Sequence, residues 1–459
     1  MKSRIVSIDL LRSIAIVGMV LCATIGWNSN LPAWMFHAQV PPPDYVFNPL
    51  QPGITWVDLV FPFFIFSMGA ALPLSLGGRI KKGESTGSII LGVLHRWLSL
   101  VIFSILLGNT SAVSSSSLSQ NLIYLYNIFV WISFFMIFLR VPQSIKRYGV
   151  LLRVTGLVLM FSALLLAKCF FEVPISIHNN DIIILILSHL VLWGSLIWLI
   201  TRNSPYVRSM IFLIIIAFKL LADLLPQSLS WVPAIDSMHW LFSWSFLQYL
   251  IIVIPALSLG ESLLKSSSIP RQKQKLDSSS ILSFILLIFV SVFQLWGLFV
   301  REVSIDLIVT LISAALFFYI NKANDSSWVR IAYAGLVFTI IGVAMDPVNG
   351  GIAKDPCNFS YLMTTGGIAM LVLSVLFRLE NSGYLQSSLL AGVGQNPMIA
   401  YTLNPFLISP VLYLTGLMSR LDQLTVHNMF WGTFRGLFIT VLMVVITSFF
   451  TRRKVFWRS

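Results

Sequence analysis

Apolar runs long enough to cross a bilayer recur along this chain from residue 5 to residue 451. A span needs about 20 apolar residues as a helix. Inside lipid every backbone N–H and C=O has to be satisfied within the chain, which leaves helices or a closed barrel. The runs are continuous rather than alternating, so the sequence predicts an all-α, polytopic helical bundle. Segments of spanning length fall near 5–26, 54–76, 89–108, 120–139, 149–170, 182–201, 207–225, 239–259, 280–300, 304–321, 329–346, 361–379, 389–417 and 433–451. That predicts about 12–14 transmembrane helices in a single membrane domain over 1–459. The turn at 301–303 is very short, and 389–417, with Pro397, Pro405 and Pro410, reads as broken. Only 10% of the residues are charged, against about 25% in soluble proteins, which excludes a soluble enzyme.

The charges orient the bundle. With the N-terminus in the cytoplasm and sides alternating, all but six of the 30 Lys and Arg fall at cytoplasmic ends. The six are Lys168, Lys219, Arg301, Lys354, Arg420 and Arg435, and an asymmetry of this size places both termini inside. The net charge of +13 therefore reflects topology. No basic stretch is interleaved with aromatics, so no nucleic-acid partner is expected. Asp9 and Arg12 interrupt the first apolar run, which reads as a retained helix rather than a cleaved signal. Cys22, Cys169 and Cys357 have neither disulfide nor zinc spacing, and no metal is expected. Residues 260–280 form a basic, serine-rich cytoplasmic linker, whereas the external loop 27–53 carries aromatics and a stiff triple proline and can hold a site.

In that loop His37 follows Trp34, Met35 and Phe36, an apolar wall that would favour the neutral imidazole a general base needs. The plainer reading is a packed loop histidine. His95, His178, His189, His239 and His427 fall at helix ends, in loops or within a span. Asp58, in TWVDLVFPFF, sits in the first turns of the second span. A carboxylate costs about 2.5–3.5 kcal/mol at a span centre on insertion scales, so it needs a partner. It either orients His37 through one ring nitrogen or caps its own helix. Asp9 and Arg12 share a helical face and read first as an internal ion pair. Arg96 enters from the cytoplasmic side, where it would meet a phosphate or snorkel. Near the other end, 345–367 is polar and places Lys354, Asp355, Ser360 and Tyr361 at the external interface. GVGQNPMIAY puts Gln395, Asn396 and Pro397 at a broken span start, which either lines a cavity or forms a structural kink.

These residues resemble the transmembrane acyltransferases related to heparan-α-glucosaminide N-acetyltransferase. The resemblance rests on SIDLLRSIAIVGM (7–19), similar to the family's S-x-D-x-x-R-G helix, on FHA (36–38), and on DLVFPFFIFSMG (58–69). It continues through Lys354 to Tyr361 and through GQNPMIAY (394–401), while the middle of the chain matches only in character. The family's glycine after the arginine is Ser13 here, and an asparagine at the end of its first helix is replaced around Ala23 and Thr24.

The resemblance implies a bacterial member of the cytoplasmic (inner) membrane, multi-pass and surrounded by lipid. It would take the acetyl group of cytosolic acetyl-CoA to a sugar amine or hydroxyl on the external face. His37 is then the general base or acetyl carrier, with Asp58 as its catalytic partner. Trp34, Lys354, Ser360, Tyr361, Gln395 and Asn396 fall on the substrate side, with Asn396 or Gln395 as an oxyanion donor. Asp9, Arg12 and Arg96 fall on the coenzyme side, and a homodimer is left open. The alternative is a multi-pass carrier of a sugar-linked or anionic solute, which the broken segment and buried Asp58 suit equally, although DLVFPFF and the FHA loop have no second copy.

Overall fold

The structure, a computed structural model, describes residues 5–141, 143–225, 243–266, 276–385 and 389–457. His239 and the basic part of the expected linker, with Arg271, Lys273 and Lys275, lie outside the described residues. The described helices begin with α1 (Val6–Thr24), α2 (Val60–Ile80), α3 (Thr86–Ser111), α4 (Gln120–Phe138), α5 (Gly149–Cys169) and α6 (Ile182–Thr201). They continue with α7 (Pro205–Leu224), α8 (Leu250–Ser266), α9 (Ser278–Val300), α10 (Val303–Asn321), α11 (Ser327–Met345) and α12 (Phe359–Asn381). A broken run follows as α13 (Leu389–Gln395), α14 (Pro397–Leu403), α15 (Ser409–Leu414) and α16 (Leu417–Thr425), and α17 (Met429–Arg452) closes the chain. Among the described residues there is no strand, only an isolated bridge between Leu139 and Trp457.

Twelve of the described helices or helix runs are long and apolar enough to cross a membrane. The other two apolar segments of the sequence are α7, which carries Arg208, Lys219 and Asp223, and α8, described over 17 residues. The protein is therefore an all-α, multi-pass membrane protein. The short turn after α9 is two residues, with Arg301 in the left-handed region at φ 69° as the cap. The 389–417 segment is interrupted at Asn396, before Pro397, and loosens into a π turn over Asn404–Ile408, because each proline removes a backbone donor.

The chain divides into two compact units. The first comprises residues 1–15, 32–90 and 190–388, and the second comprises 16–31, 91–189 and 389–459. In the first unit α12 is central, with 83% of its most apolar stretch buried, against 22% for α10. Isoleucines at 305, 308 and 312 on α10 are exposed, an apolar exterior suited to lipid.

Helices α11 and α12 approach closely because small residues line their contact. A Cβ built on Gly367 would stand 2.5 Å from Thr339 Cγ2 and 2.8 Å from the Gly335 carbonyl oxygen. At Gly342 it would meet the Thr364 backbone nitrogen at 2.5 Å.

Buried charge within the first unit is mostly paired, as low dielectric demands. Arg301 holds Asp346 through two bonds of 2.9 and 2.7 Å, and Lys219 meets Asp223 at 2.8 Å. Glu380 accepts the first N–H groups of α1, from Val6 and Ser7, favourable at the positive end of a helix. Asp306 differs: it is fully buried, and among the described residues neither carboxylate oxygen has a partner within hydrogen-bond geometry.

Gly367→Ala places a methyl against backbone that cannot yield, an overpacking cost of about 1–3 kcal/mol. Gly78, also helical, has open space around it. Thermal unfolding in detergent should show a lowered midpoint for Gly367→Ala and none for Gly78→Ala; equal midpoints would refute the close packing of α11 on α12.

Candidate functional site

The loop over 27–53, read from the sequence as external, enters the first unit at Pro32 and is held there by its own backbone and by Thr55. A 3-10 turn over Ala33–Met35 leads into Phe36, whose carbonyl accepts the Thr55 hydroxyl at 2.7 Å. Phe36 is buried and meets Tyr45 edge-on at 4.9 Å. Of the expected apolar wall only Phe36 is buried; Trp34 is 52% exposed and stands at the surface of the loop.

Thr55 begins the turn that starts α2, and Asp58 completes a capping box with it, the T-x-x-D pattern whose side chains answer each other's backbone N–H. Asp58 Oδ2 accepts the Thr55 N–H at 2.9 Å and lies 3.4 Å from the Ala38 nitrogen. Oδ1 faces His37 Nδ1 at 2.7 Å. The capping role and the orienting role, alternatives on the sequence, are both filled by one carboxylate using different oxygens. Its side chain is 3% exposed, whereas that of His37 is 31% exposed. The acid is thus held inside while the imidazole stays reachable.

The third member arrives from the far end of the unit's sequence. Lys354 Nζ lies 3.3 Å from His37 Nδ1, 3.5 Å from Nε2 and 4.0 Å from Asp58 Oδ1. The loop that carries it is pinned at several points. Asp346, clamped by Arg301, accepts the Ile352 N–H at 2.6 Å, and Ile352 in turn accepts Gly53 N–H at 2.8 Å. Gln39 bonds both backbone groups of Asp355. Lys219 donates to the Cys357 carbonyl at 2.6 Å, and Asp223 accepts the Phe359 N–H. Gln39, Arg301, Asp346, Lys219 and Asp223 were not singled out on the sequence. Only the positions of Arg301 and Lys219, two of the six cations on the external side, hinted at them.

Two residues expected on the substrate side turn out to support the frame. Ser360 is fully buried and donates to the Gly342 carbonyl at 2.6 Å. Tyr361, also fully buried, donates its hydroxyl to the Asp58 carbonyl at 2.7 Å. Neither is placed to touch a substrate; Tyr361 positions Asp58. Asp9 and Arg12 stand 3.7 Å apart, and Arg12 Nη2 donates to the Ser67 carbonyl. Ser67 lies nine residues beyond Asp58, about 13 Å along the helix, so this pair sits within the unit rather than at its rim.

Arg96, Gln395 and Asn396 belong to the second unit. Arg96 is exposed. Asn396 is fully buried and has both ends of its amide committed, Nδ2 to the Val455 carbonyl and Oδ1 to the Trp457 N–H. The expected oxyanion donor is therefore a brace for the C-terminal segment. Among the remaining histidines, His189 is buried with Nδ1 on the Leu185 carbonyl, a satisfied core residue. Among the described residues no group of three or more His, Cys, Asp or Glu is arranged to hold a metal ion.

Chemically, the cluster is an imidazole with Nδ1 committed to a buried carboxylate and Nε2 met only by the 3.5 Å approach of Lys354. Lys354 adds a cation able to bind an anionic group or a developing oxyanion.

Asp58→Ala would leave the buried Thr55 N–H without its acceptor, at a cost of about 1–3 kcal/mol, and a lowered unfolding midpoint should follow; an unchanged midpoint would refute the capping role. The buried Cys357 thiol offers a second check. Burial pushes it up to about 12, so at about pH 8 it carries almost no thiolate. Maleimide should label exposed Cys169 and spare Cys357 until the protein is unfolded; rapid labelling of native Cys357 would refute the packing of its loop.

A comparison with curated proteins finds no match to the chain. A family described as a domain of unknown function, DUF5009, matches residues 4–263, which include His37, Asp58 and the Asp9–Arg12 helix but not Lys354. With more than half of its length in that match, the chain belongs to the DUF5009 family.

Proposed function

We propose that the protein is a membrane-embedded acyltransferase that moves an acetyl group from cytosolic acetyl-CoA to a sugar hydroxyl or amine on the external face of a bacterial inner membrane. One observation carries this reading: His37 directs Nδ1 at buried Asp58, beside the ammonium of Lys354. The resemblance of residues 7–19, 36–38 and 58–69 to the heparan-α-glucosaminide N-acetyltransferase family supports it.

In the proposed reaction His37 Nε2 takes the acceptor proton as the acceptor oxygen or nitrogen attacks the thioester carbonyl. The carbonyl π electrons move to oxygen, and Lys354 stabilises the resulting negative charge. Collapse re-forms the C=O bond and breaks the C–S bond, and His37 returns its proton to the departing thiolate. An alternative sequence has Nε2 itself attack the thioester carbonyl, breaking the C–S bond to release coenzyme A as its thiolate and giving acetyl-His37; the acceptor then attacks the acetyl carbonyl, the C–N bond breaks, and the freed Nε2 takes the acceptor proton and passes it to the thiolate. Both need Nε2 unprotonated, which fixing the proton on Nδ1 provides. Asp58 positions and stabilises the imidazole rather than reacting. Lys354 takes the oxyanion role expected of Asn396.

Free-thiol release from acetyl-CoA by the purified protein, with a panel of sugars, tests the reading. Acceptor-stimulated release should fall by about 10²–10⁴-fold in His37→Ala and by about 10²–10³-fold in Lys354→Ala. Thiol release indifferent to His37→Ala would refute the mechanism. A protein that releases no thiol but moves a labelled sugar-linked solute across vesicles would be the carrier instead, a reading that the interrupted run α13–α16 suits.

A further inference from the structure

A polar cavity of the first unit has no part in the chemistry above. It measures about 320 Å³ and is lined by Arg208, Ser258, Glu261, Ser262, Lys265 and Arg330, beside Pro205. These residues sit where α7 and α11 begin and α8 ends. The charge asymmetry of the sequence assigns this end to the cytoplasm, while His37 lies on the external side. Along α7 the separation from Arg208 to Lys219, which holds the Lys354 loop, is eleven residues, about 16 Å.

Among the described residues that line the cavity, three cations accompany a single carboxylate. Arg208 is 3% exposed. It is held by Thr201 through Nε at 3.0 Å and Nη2 at 3.3 Å, by Ser258 at 3.4 Å, and by Glu261 at 2.5 Å. The same Glu261 also pairs with Lys265 at 2.8 Å, so one carboxylate serves two cations. Arg330 adds a third cation; its nearest acid is Asp325 at 3.8 Å, a residue outside the lining and 90% exposed. The positive ends of α7 and α11 add to the same field. Among the described residues of the lining, three cations are thus set against one carboxylate, which matches a phosphate, whose several oxygens accept from guanidinium and ammonium donors together.

We infer that this cavity binds a phosphate group, supplied either by an anionic lipid headgroup or by a soluble phosphorylated compound. Arg208 is the buried floor of the site, and Lys265 and Arg330 are its exposed rim, at 76% and 60% side-chain exposure. The inference does not depend on acyl transfer, since a bound lipid phosphate would establish it whether or not the protein is an enzyme.

The test uses the full-length protein with Lys265→Gln and Arg330→Gln together, which removes exposed cations and leaves buried Arg208 in place. Lys81→Gln with Lys82→Gln, both exposed, removes equal charge elsewhere as a control. Coenzyme A and inorganic pyrophosphate are titrated calorimetrically, and phosphatidylglycerol retention is measured by native mass spectrometry from nanodiscs against phosphatidylcholine. The rim variant should lose at least about tenfold in affinity for one probe class, with the control unchanged. Loss for coenzyme A and pyrophosphate assigns a soluble ligand, and loss for phosphatidylglycerol assigns a lipid. Retained binding of every probe by the rim variant, loss matched by the control, or binding of neither class by the unaltered protein would overturn the proposal. Thiol release is scored separately, so failure of the acyltransferase reading is distinguishable from failure here.

Discussion

The site depends on a carboxylate buried where carboxylates are costly. Asp58 is 3% exposed at the start of a membrane-spanning helix, and it is tolerable there only because each oxygen has a partner. One oxygen closes the cap with Thr55 and the other faces His37. Helix start and imidazole orientation are therefore one structural event: the loop cannot release His37 without taking a hydrogen bond from a buried carboxylate, and α2 cannot lose its cap without losing the site.

The rest of the first unit secures the cluster from outside. Tyr361 supports Asp58 from the core of α12. Arg301 and Asp346 fix the start of the loop that bears Lys354, and Lys219 and Asp223 fix its end. Gln39 ties that loop to the one bearing His37. Apart from Arg301, which clamps the Asp346 carboxylate, each of these groups bonds a backbone N–H or carbonyl. Preorganisation of this kind keeps the donors in place before substrate arrives.

The helical class and the polytopic character were legible in the sequence because lipid imposes one solution on apolar runs. The interruption at Asn396 was legible from its proline. His37 and Asp58 were legible as a pair, since a histidine after an aromatic run and a carboxylate at a span start each demand a partner. What the carboxylate did was not, because sequence treats it as one group while the structure uses two oxygens. Ser360, Tyr361 and Asn396 misled for a common reason: a polar side chain in a membrane protein signals a satisfied partner as often as a ligand, and their partners are carbonyls or N–H groups that no residue type reveals. The joining of residue 39 to 355, or of 301 to 346, depends on packing between distant segments and leaves no local pattern.

The account turns on which ring nitrogen of His37 carries the proton. Nitrogen-15 magnetic resonance of the histidine-labelled protein, compared with Asp58→Asn, reads this directly. A proton on Nδ1, shifted downfield by the carboxylate, with Nε2 bare, is the predicted result, and Asp58→Asn should abolish the shift. A proton resident on Nε2, with Nδ1 accepting from Lys354, would contradict the account, because the base would then face the wrong way.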